Sequence, residues 1–215
     1  MRRALADCGR VRSAFTSRFV GIGGIVGNGV ANNCYNTGAV KATRTNLAYG
    51  IGNRTRYVKN CFTYTPNSHV ALAPMQWNRN EETTADNSYY LANSATELLS
   101  PGEWATLADF ASGKVAWGVD GGEGAHANYW TQIIGRSQNQ MPVGPGRAYP
   151  KPIEDPNTEF SVYRALVQYG TGGTATLAAN GYGSENQENA VYGFKGTSVT
   201  VTATPKDDTF GLKSL

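Results

Sequence analysis

A three-residue signature returns at a fixed interval, and that interval limits the folds open to the chain. Asn33-Cys34-Tyr35, Asn60-Cys61-Phe62 and Asn87-Ser88-Tyr89 are spaced 27 residues apart, while Asn28, Asn53 and Asn78 recur every 25. The gap between the two columns grows from five residues to seven to nine. Each copy therefore lengthens one turn by two residues and keeps the rest of its frame. Around the anchors, Ile22, Leu47 and Leu72 are aliphatic, Gly23, Ala48 and Ala73 are small, and Ile25 and Met75 flank Gly50. An earlier, degraded copy centred on Asp7-Cys8-Gly9 brings the total to about four.

A unit of about 25 residues cannot bury its own apolar face and must stack on a neighbour. The pattern predicts a mainly β chain whose residues 1–93 form a short parallel β-solenoid, right-handed by the usual crossover preference. With strands about 4.8 Å apart, equivalent residues stack into ladders, and inward positions form aliphatic and aromatic stacks. Asn and Gly belong at the corners because they tolerate positive φ, and stacked Asn side chains can hydrogen-bond along the ladder. Composition agrees: 26 Gly, 18 Asn and 21 Thr with only 16% charged residues argue against helical bundles and coiled coils. The scatter of 12 Tyr, 7 Phe and 4 Trp argues against long disorder.

The stretch Gly23-Gly24-Ile25-Val26-Gly27-Asn28, followed by Asn33-Cys34-Tyr35-Asn36-Thr37-Gly38-Ala39-Val40, resembles the GLUG repeat of bacterial surface proteins. A second copy, Ala48-Tyr49-Gly50-Ile51-Gly52-Asn53 with Asn60-Cys61-Phe62, keeps the frame with fewer glycines, and the third keeps only the Asn columns and Tyr89. The resemblance covers about residues 20–92. It implies a place in a large extracellular, adhesin-like protein, including regions beside peptidases that cleave immunoglobulin A. No catalytic residues belong to that motif.

After the repeats, Ser100-Pro101-Gly102-Glu103 reads as a helix start with a capping-box Glu. Trp104, Leu107, Ala108 and Ala111 then form one face and Gly113 closes the helix, giving a capping segment over 94–142 that covers the open end of the solenoid. Ser112-Gly113-Lys114-Val115-Ala116-Trp117, with Trp130-Thr131-Gln132 and Pro142-Val143, resembles the tail that often follows such repeats. Residues 143–158, with Pro145, Pro150, Pro152 and Pro156, lack periodicity and read as a linker. From 159 to 215, Phe160–Ala165, Thr174–Leu177 and Thr197–Pro205 carry strand signals, the last in strict alternation, and predict a small all-β module. Gly196-Thr197-Ser198-Val199-Thr200-Val201-Thr202-Ala203-Thr204-Pro205 with Phe210-Gly211-Leu212 resembles an internalin-type bacterial repeat, another extracellular module. The expectation is a partial module in a fragment of a larger surface protein.

Candidate chemistry is sparse. Gly21–Gly27 lacks the third glycine of the dinucleotide fingerprint, since position 26 is Val, and solenoid corners explain its glycines better. Asp120, Glu123 and His126 gather two carboxylates and a histidine without EF-hand spacing or a second histidine, so a solvated loop is favoured over a calcium or catalytic site. His69, the only other histidine, is expected in a turn. Cys8, Cys34 and Cys61 have no Cys-x-x-Cys spacing, so no zinc site is expected and the redox compartment stays open. Cys34 and Cys61 would lie one coil apart with parallel side chains, a poor disulfide geometry, so buried free thiols are expected.

Residues 1–60 carry ten Lys/Arg against the single acid Asp7, whereas residues 61–215 carry nine bases against fifteen acids. No run is denser than Arg54–Lys59, so a solvated basic face is expected in preference to a nucleic-acid site. No apolar stretch approaches the roughly 18 residues of a membrane span, and the first residues meet Asp7 and Arg10 before a signal-peptide core can form. The expected function is a non-catalytic adhesive or spacer stalk at the cell surface, without cofactor or metal, whose partners are host or environmental glycans or proteins. Two alternatives stand beside it. One is an accessory region of a secreted peptidase or glycan-degrading hydrolase whose active site lies elsewhere, and the other is a carbohydrate-binding module.

Overall fold

The computed structural model describes residues 5–7, 22–23, 29–38, 48–51, 55–65, 84–91, 102–134, 148–179 and 189–208. The protein is mainly β, arranged in several small sheets, with no closed barrel among the described residues. Two compact units divide the chain: Met1–Phe110 with Gly118–Tyr129, and Ala111–Trp117 with Trp130–Leu215. The break therefore recurs within residues 110–130, ahead of the 143–158 stretch whose composition reads as a linker.

In the first unit the strands are β1 (Leu5–Asp7), β2 (Ile22–Gly23), β3 (Gly29–Asn32), β4 (Tyr35–Asn36), β5 (Ala48–Tyr49), β6 (Thr55–Lys59), β7 (Phe62–Thr63), β8 (Thr84–Asp86), β9 (Tyr89–Leu91) and β10 (Glu103–Ala105). They form three parallel ladders, in the orders β1-β3-β6-β8, β4-β7-β9-β10 and β2-β5. The register repeats the sequence interval. Val30 lies beside Tyr57 and Tyr57 beside Thr84, while Tyr35 lies beside Phe62 and Phe62 beside Tyr89. The degraded first copy is present as β1, but Leu5 pairs with Val30, a step of 25. That register carries Asp7 to Asn32, one residue away from the frame that aligns Cys8 with Cys34.

Each turn of chain bends between its two long ladders at Asn33, Asn60 or Asn87, with φ of 52°, 53° and 45°. The amide side chain of Asn60 donates to Asn33 Oδ1 at 3.1 Å, and that of Asn87 donates to Asn60 Oδ1 at 3.2 Å. Asn supplies the left-handed conformation at low cost and its carboxamide links one turn to the next. Immediately after it, Cys34, Cys61 and Ser88 point inward. Ala31, Cys34, Ile51, Val58 and Cys61 form one buried cluster, with Ala85 packed against it. Asn36 also points inward, donating to Gly50 O at 3.0 Å.

Tyr35, Phe62 and Tyr89 are all buried, as the repeated aromatic column predicts, but strand alternation sets them outside the cluster around Cys34 and Cys61. Tyr35 and Phe62 stack at 5.2 Å between centroids. Phe110 covers this outer row, meeting Phe62 and Tyr64 edge-on at 5.9 and 5.0 Å. The helical segment also differs from its reading. Glu103–Ala105 is the strand β10, paired in parallel with β9, so the Ser100–Glu103 cap is overridden by a tertiary ladder. The helix α1 (Leu107–Ser112) begins instead at Thr106. There the Asp109 carboxylate accepts from the Thr106 N–H and hydroxyl, both at 2.8 Å, and Thr106 Oγ1 accepts from the Asp109 N–H at 3.1 Å. Trp104, Leu107, Ala108 and Ala111 are exposed, and Phe110 carries the buried face. Gly113 does end α1, at φ 90°, and α2 (Lys114–Val119) follows at once.

In the second unit β11 (Trp130–Thr131) pairs antiparallel with β12 (Lys151–Pro152), so residues 148–158 carry an ordered strand and turn where composition suggests linker. Lys151 pairs there with Glu159, whose carboxylate also accepts the Glu154 N–H at 2.7 Å. The strands β13 (Val162–Leu166) and β15 (Ala190–Phe194) pair antiparallel, as do β14 (Gly173–Ala179) and β16 (Val199–Pro205). Ala116, Ile134, Val162, Ala190 and Tyr192 form one core cluster, and Leu177 with Val191 forms a second, smaller one. Every residue of β16 is exposed, so its alternation buries neither face.

Candidate functional site

Asp120 lies at the first residue beyond α2 and is fully buried. Its carboxylate accepts the Tyr129 N–H on Oδ1 at 2.8 Å and meets His126 Nδ1 through Oδ2 at 3.1 Å. Its backbone carbonyl accepts the Ala127 N–H at 2.7 Å. Three bonds from one residue thus close the loop 120–129. Gly121, at φ 128°, is required because a Cβ there would come within 2.5 Å of Ala125 O. Next to a carboxylate, which only accepts, Nδ1 of His126 is the nitrogen that donates.

The structure therefore brings Asp120 and His126 together and leaves Glu123 exposed on the same loop. An Asp-oriented histidine is half of a general-base arrangement, which also needs a reacting group and charge stabilisers in reach. Among the described residues there is no group of three or more His, Cys, Asp or Glu that could hold a metal ion. Asp120 is built into the loop as its fastener, which is a structural use of its carboxylate. His69 and Cys8 lie outside the described residues, as do the Asn28, Asn53 and Asn78 column and most of Gly21–Gly27, of which Ile22 and Gly23 form strand β2.

The thiol column is better defined. Cys34 Sγ donates to Asn32 O at 3.1 Å, Cys61 Sγ to Lys59 O at 3.0 Å and Ser88 Oγ to Asp86 O at 2.9 Å. Across the ladder the Cys34 N–H donates to Cys61 Sγ at 3.3 Å and the Cys61 N–H to Ser88 Oγ at 3.2 Å. Both cysteines are free and buried. Burial, and after it the neighbouring Cys34, pushes the Cys61 thiol well above its ordinary range, which keeps it a neutral donor and a poor nucleophile. Hydroxyl and thiol interchange at this position because both can bond the same two backbone groups. Sequence spacing finds the column but gives no sign of these bonds. It also gives no sign of the Asp120–Tyr129 closure, which joins residues nine apart through a backbone N–H.

The outer side of the first ladder is polar. Tyr57 donates its hydroxyl to Asp86 at 2.9 Å, and burial followed by Asp86 raises that phenol. In the second unit, Arg164 lies 4.4 Å from the Trp117 ring centre, and Trp117 meets Tyr192 at 5.9 Å. No helix among the described residues is long and apolar enough to cross a membrane. No protein-family model, no curated protein and no solved structure matches the chain.

Proposed function

We propose that the first unit is a short right-handed parallel β-solenoid and that the chain is a non-catalytic spacer or contact region of a bacterial cell-surface protein. One observation carries the reading: two parallel ladders advance by the same 27-residue step through successive copies. Residues that serve chemistry are seldom repeated at every step, whereas the Asn and Cys/Ser columns are repeated because each turn needs the same corner and the same backbone bonds. A chain built this way lengthens by adding turns and presents a regular polar flank, which suits a stalk. Handedness follows from the general preference for right-handed crossovers between parallel strands.

The buried state of Tyr35, Phe62 and Tyr89 favours a spacer over a sugar-binding face, since a stacking platform needs exposed rings. The reading is tested by adding protease to intact producing cells and by screening the purified chain on a glycan array at low and high salt. Cleavage of the protein on intact cells with no glycan bound supports a surface spacer, and salt-tolerant glycan binding makes the module adhesive. Protection on intact cells, with cleavage only after lysis, would overturn the surface assignment.

A further inference from the structure

In the second unit, β16 is exposed along its whole length and on both faces. It pairs with β14 in an unbroken register from Gly173↔Pro205 to Ala179↔Val199. Just past that ladder the Lys206 N–H donates to Gly172 O at 2.8 Å. Backbone groups alternate in direction along an antiparallel strand, so Thr204, Thr202 and Thr200 also bond toward β14. Val199, Val201 and Ala203 therefore aim their N–H and C=O groups at the other edge, where no strand among the described residues pairs with them. Pro205 belongs to this outward set and has no N–H to place there, the position in which a sheet edge tolerates proline.

The side chains add a second observation. Val201 and Ala203 stand opposite Leu177 and Ala175, and Leu177 packs against Val191 with Ala165 and Val167 around them. Leu177 and Ala175 are buried, whereas Val199 and Val201 are each 37% exposed and Ala203 is exposed. The apolar row thus continues past the core that covers its β14 half. From Ser198 to Pro205 the strand has no charge to repel a neighbouring strand.

The residue order of β16 itself says what fits this edge. A two-fold axis at Val201 sets Val201 against its own copy, Val199 against Ala203, Thr200 against Thr202 and Ser198 against Thr204. Apolar meets apolar and hydroxyl meets hydroxyl, and the outward-aimed backbone groups of Val199, Val201 and Ala203 fall opposite one another. Lys195 and Asp207, both exposed, stand six residues to either side of Val201, so the same axis sets a Lys toward an Asp at both ends. We infer that two copies of this chain pair edge to edge through β16, antiparallel about Val201, in a four-stranded sheet of order β14-β16-β16-β14. The contact uses the same surface on each copy, so it closes at a dimer. It lies within the second unit and does not depend on the stacked-turn reading of the first.

The test is sedimentation of the intact chain over a concentration series, with amide exchange measured at both ends of the series. The expected result is a monomer–dimer equilibrium with no larger species. Exchange at the Val199, Val201 and Ala203 N–H groups should slow about tenfold or more from dilute to concentrated protein, while the Thr200, Thr202 and Thr204 N–H groups stay protected throughout. Val201→Lys sets two cations together at the axis and should weaken pairing about tenfold or more, leaving the monomer's melting curve unchanged because the parent side chain is exposed. In a Cys8→Ser background, Val201→Cys chains should cross-link to themselves under oxidant, whereas Val199→Cys chains should need Ala203→Cys chains as partners. A chain monomeric at every concentration would overturn the pairing and leave the edge to a different partner. Multimers beyond the dimer, a dimer indifferent to Val201→Lys, or self-cross-linking at Val199→Cys would overturn it as well.

Discussion

Replacing Asn60 separates the two roles that its column combines. Asn60 is nearly buried, adopts φ 53°, donates to Asn33 Oδ1 and accepts from Asn87 Nδ2. Two side-chain hydrogen bonds contribute about 1 kcal/mol each. A left-handed backbone costs an ordinary L-residue about 1–2 kcal/mol, a cost that Asn partly and Gly wholly avoids. Asn60→Ala should therefore destabilise the ladder by about 3 kcal/mol and Asn60→Gly by about 2 kcal/mol. Asn189 supplies the control, with φ 55° but no side-chain hydrogen bond among the described residues. There Ala should cost about 1 kcal/mol and Gly close to nothing. Because the chain has two compact units, a single global melt would blend them. Native-state amide exchange isolates the ladder through Asn33 N–H, bonded to Lys59 O at 3.0 Å, and Phe62 N–H, bonded to Cys34 O at 3.1 Å. The Ala variant should exchange about two orders of magnitude faster than the parent protein at both amides, since each 1.4 kcal/mol is tenfold. Equal effects of Ala and Gly, or losses below about 0.5 kcal/mol from both, would refute the account of the corner as both strained backbone and interturn bond.

Cys61→Ser should cost under about 1 kcal/mol, because Ser88 already makes the same two backbone bonds one turn later, whereas Cys61→Val leaves the buried Cys34 N–H unmatched and should cost about 2 kcal/mol; urea titration compares them. A thiol-reactive dye should label at most one of the three cysteines in the native protein and all three after denaturation, the two protected ones being Cys34 and Cys61. Gly118→Ala places a Cβ 2.2 Å from the Tyr89 hydroxyl and 2.5 Å from its Cζ, so it should destabilise the first unit by about 1–3 kcal/mol in the same titration. In the second unit, Lys151 and then the Glu154 N–H hold the Glu159 carboxyl below its usual range. The resulting stabilisation is complete above the unfolded value of about 4.3 and disappears as pH falls through the lower folded value. Glu159→Gln should abolish that acid-side loss, which is under about 1 kcal/mol for so open a pair, and thermal melts across the acid range will show it.

The interval in the sequence was enough to place the Asn corners, the thiol column and the neighbours along β3, β6 and β8, because each depends on a residue type recurring in one register, but it misplaces β2 by one residue, since Ala48 pairs with Ile22 and not with Gly23. The direction of the aromatic column was not legible from it. Tyr35 and Phe62 each follow an inward Cys, and strand alternation sets their rings apart from the cluster around Cys34 and Cys61, where Phe110 meets Phe62 edge-on. The helix start was misplaced because Ser100–Glu103 satisfies a local capping pattern while Glu103–Ala105 gains a full parallel pairing with β9, and tertiary hydrogen bonds outweigh local propensity. Strand β15 (Ala190–Phe194) gave little signal, its Ala and Gly being weak strand formers, although Ala190, Val191 and Tyr192 are all buried. The Asp120–His126 loop was visible as a cluster, but its role as a clasp depends on a backbone N–H, which residue letters do not encode.

The chain passes between its two compact units three times, after Phe110, after Trp117 and after Tyr129. A single breakpoint therefore cannot leave both units with all of their own residues: a cut after Phe110 takes Gly118 and the Asp120 clasp from the first, and a cut after Tyr129 takes Ala116 from the core cluster of the second. Insertions between copies of the repeat leave these crossings untouched, so length can drift within the repeats while the pair of units is inherited as one piece.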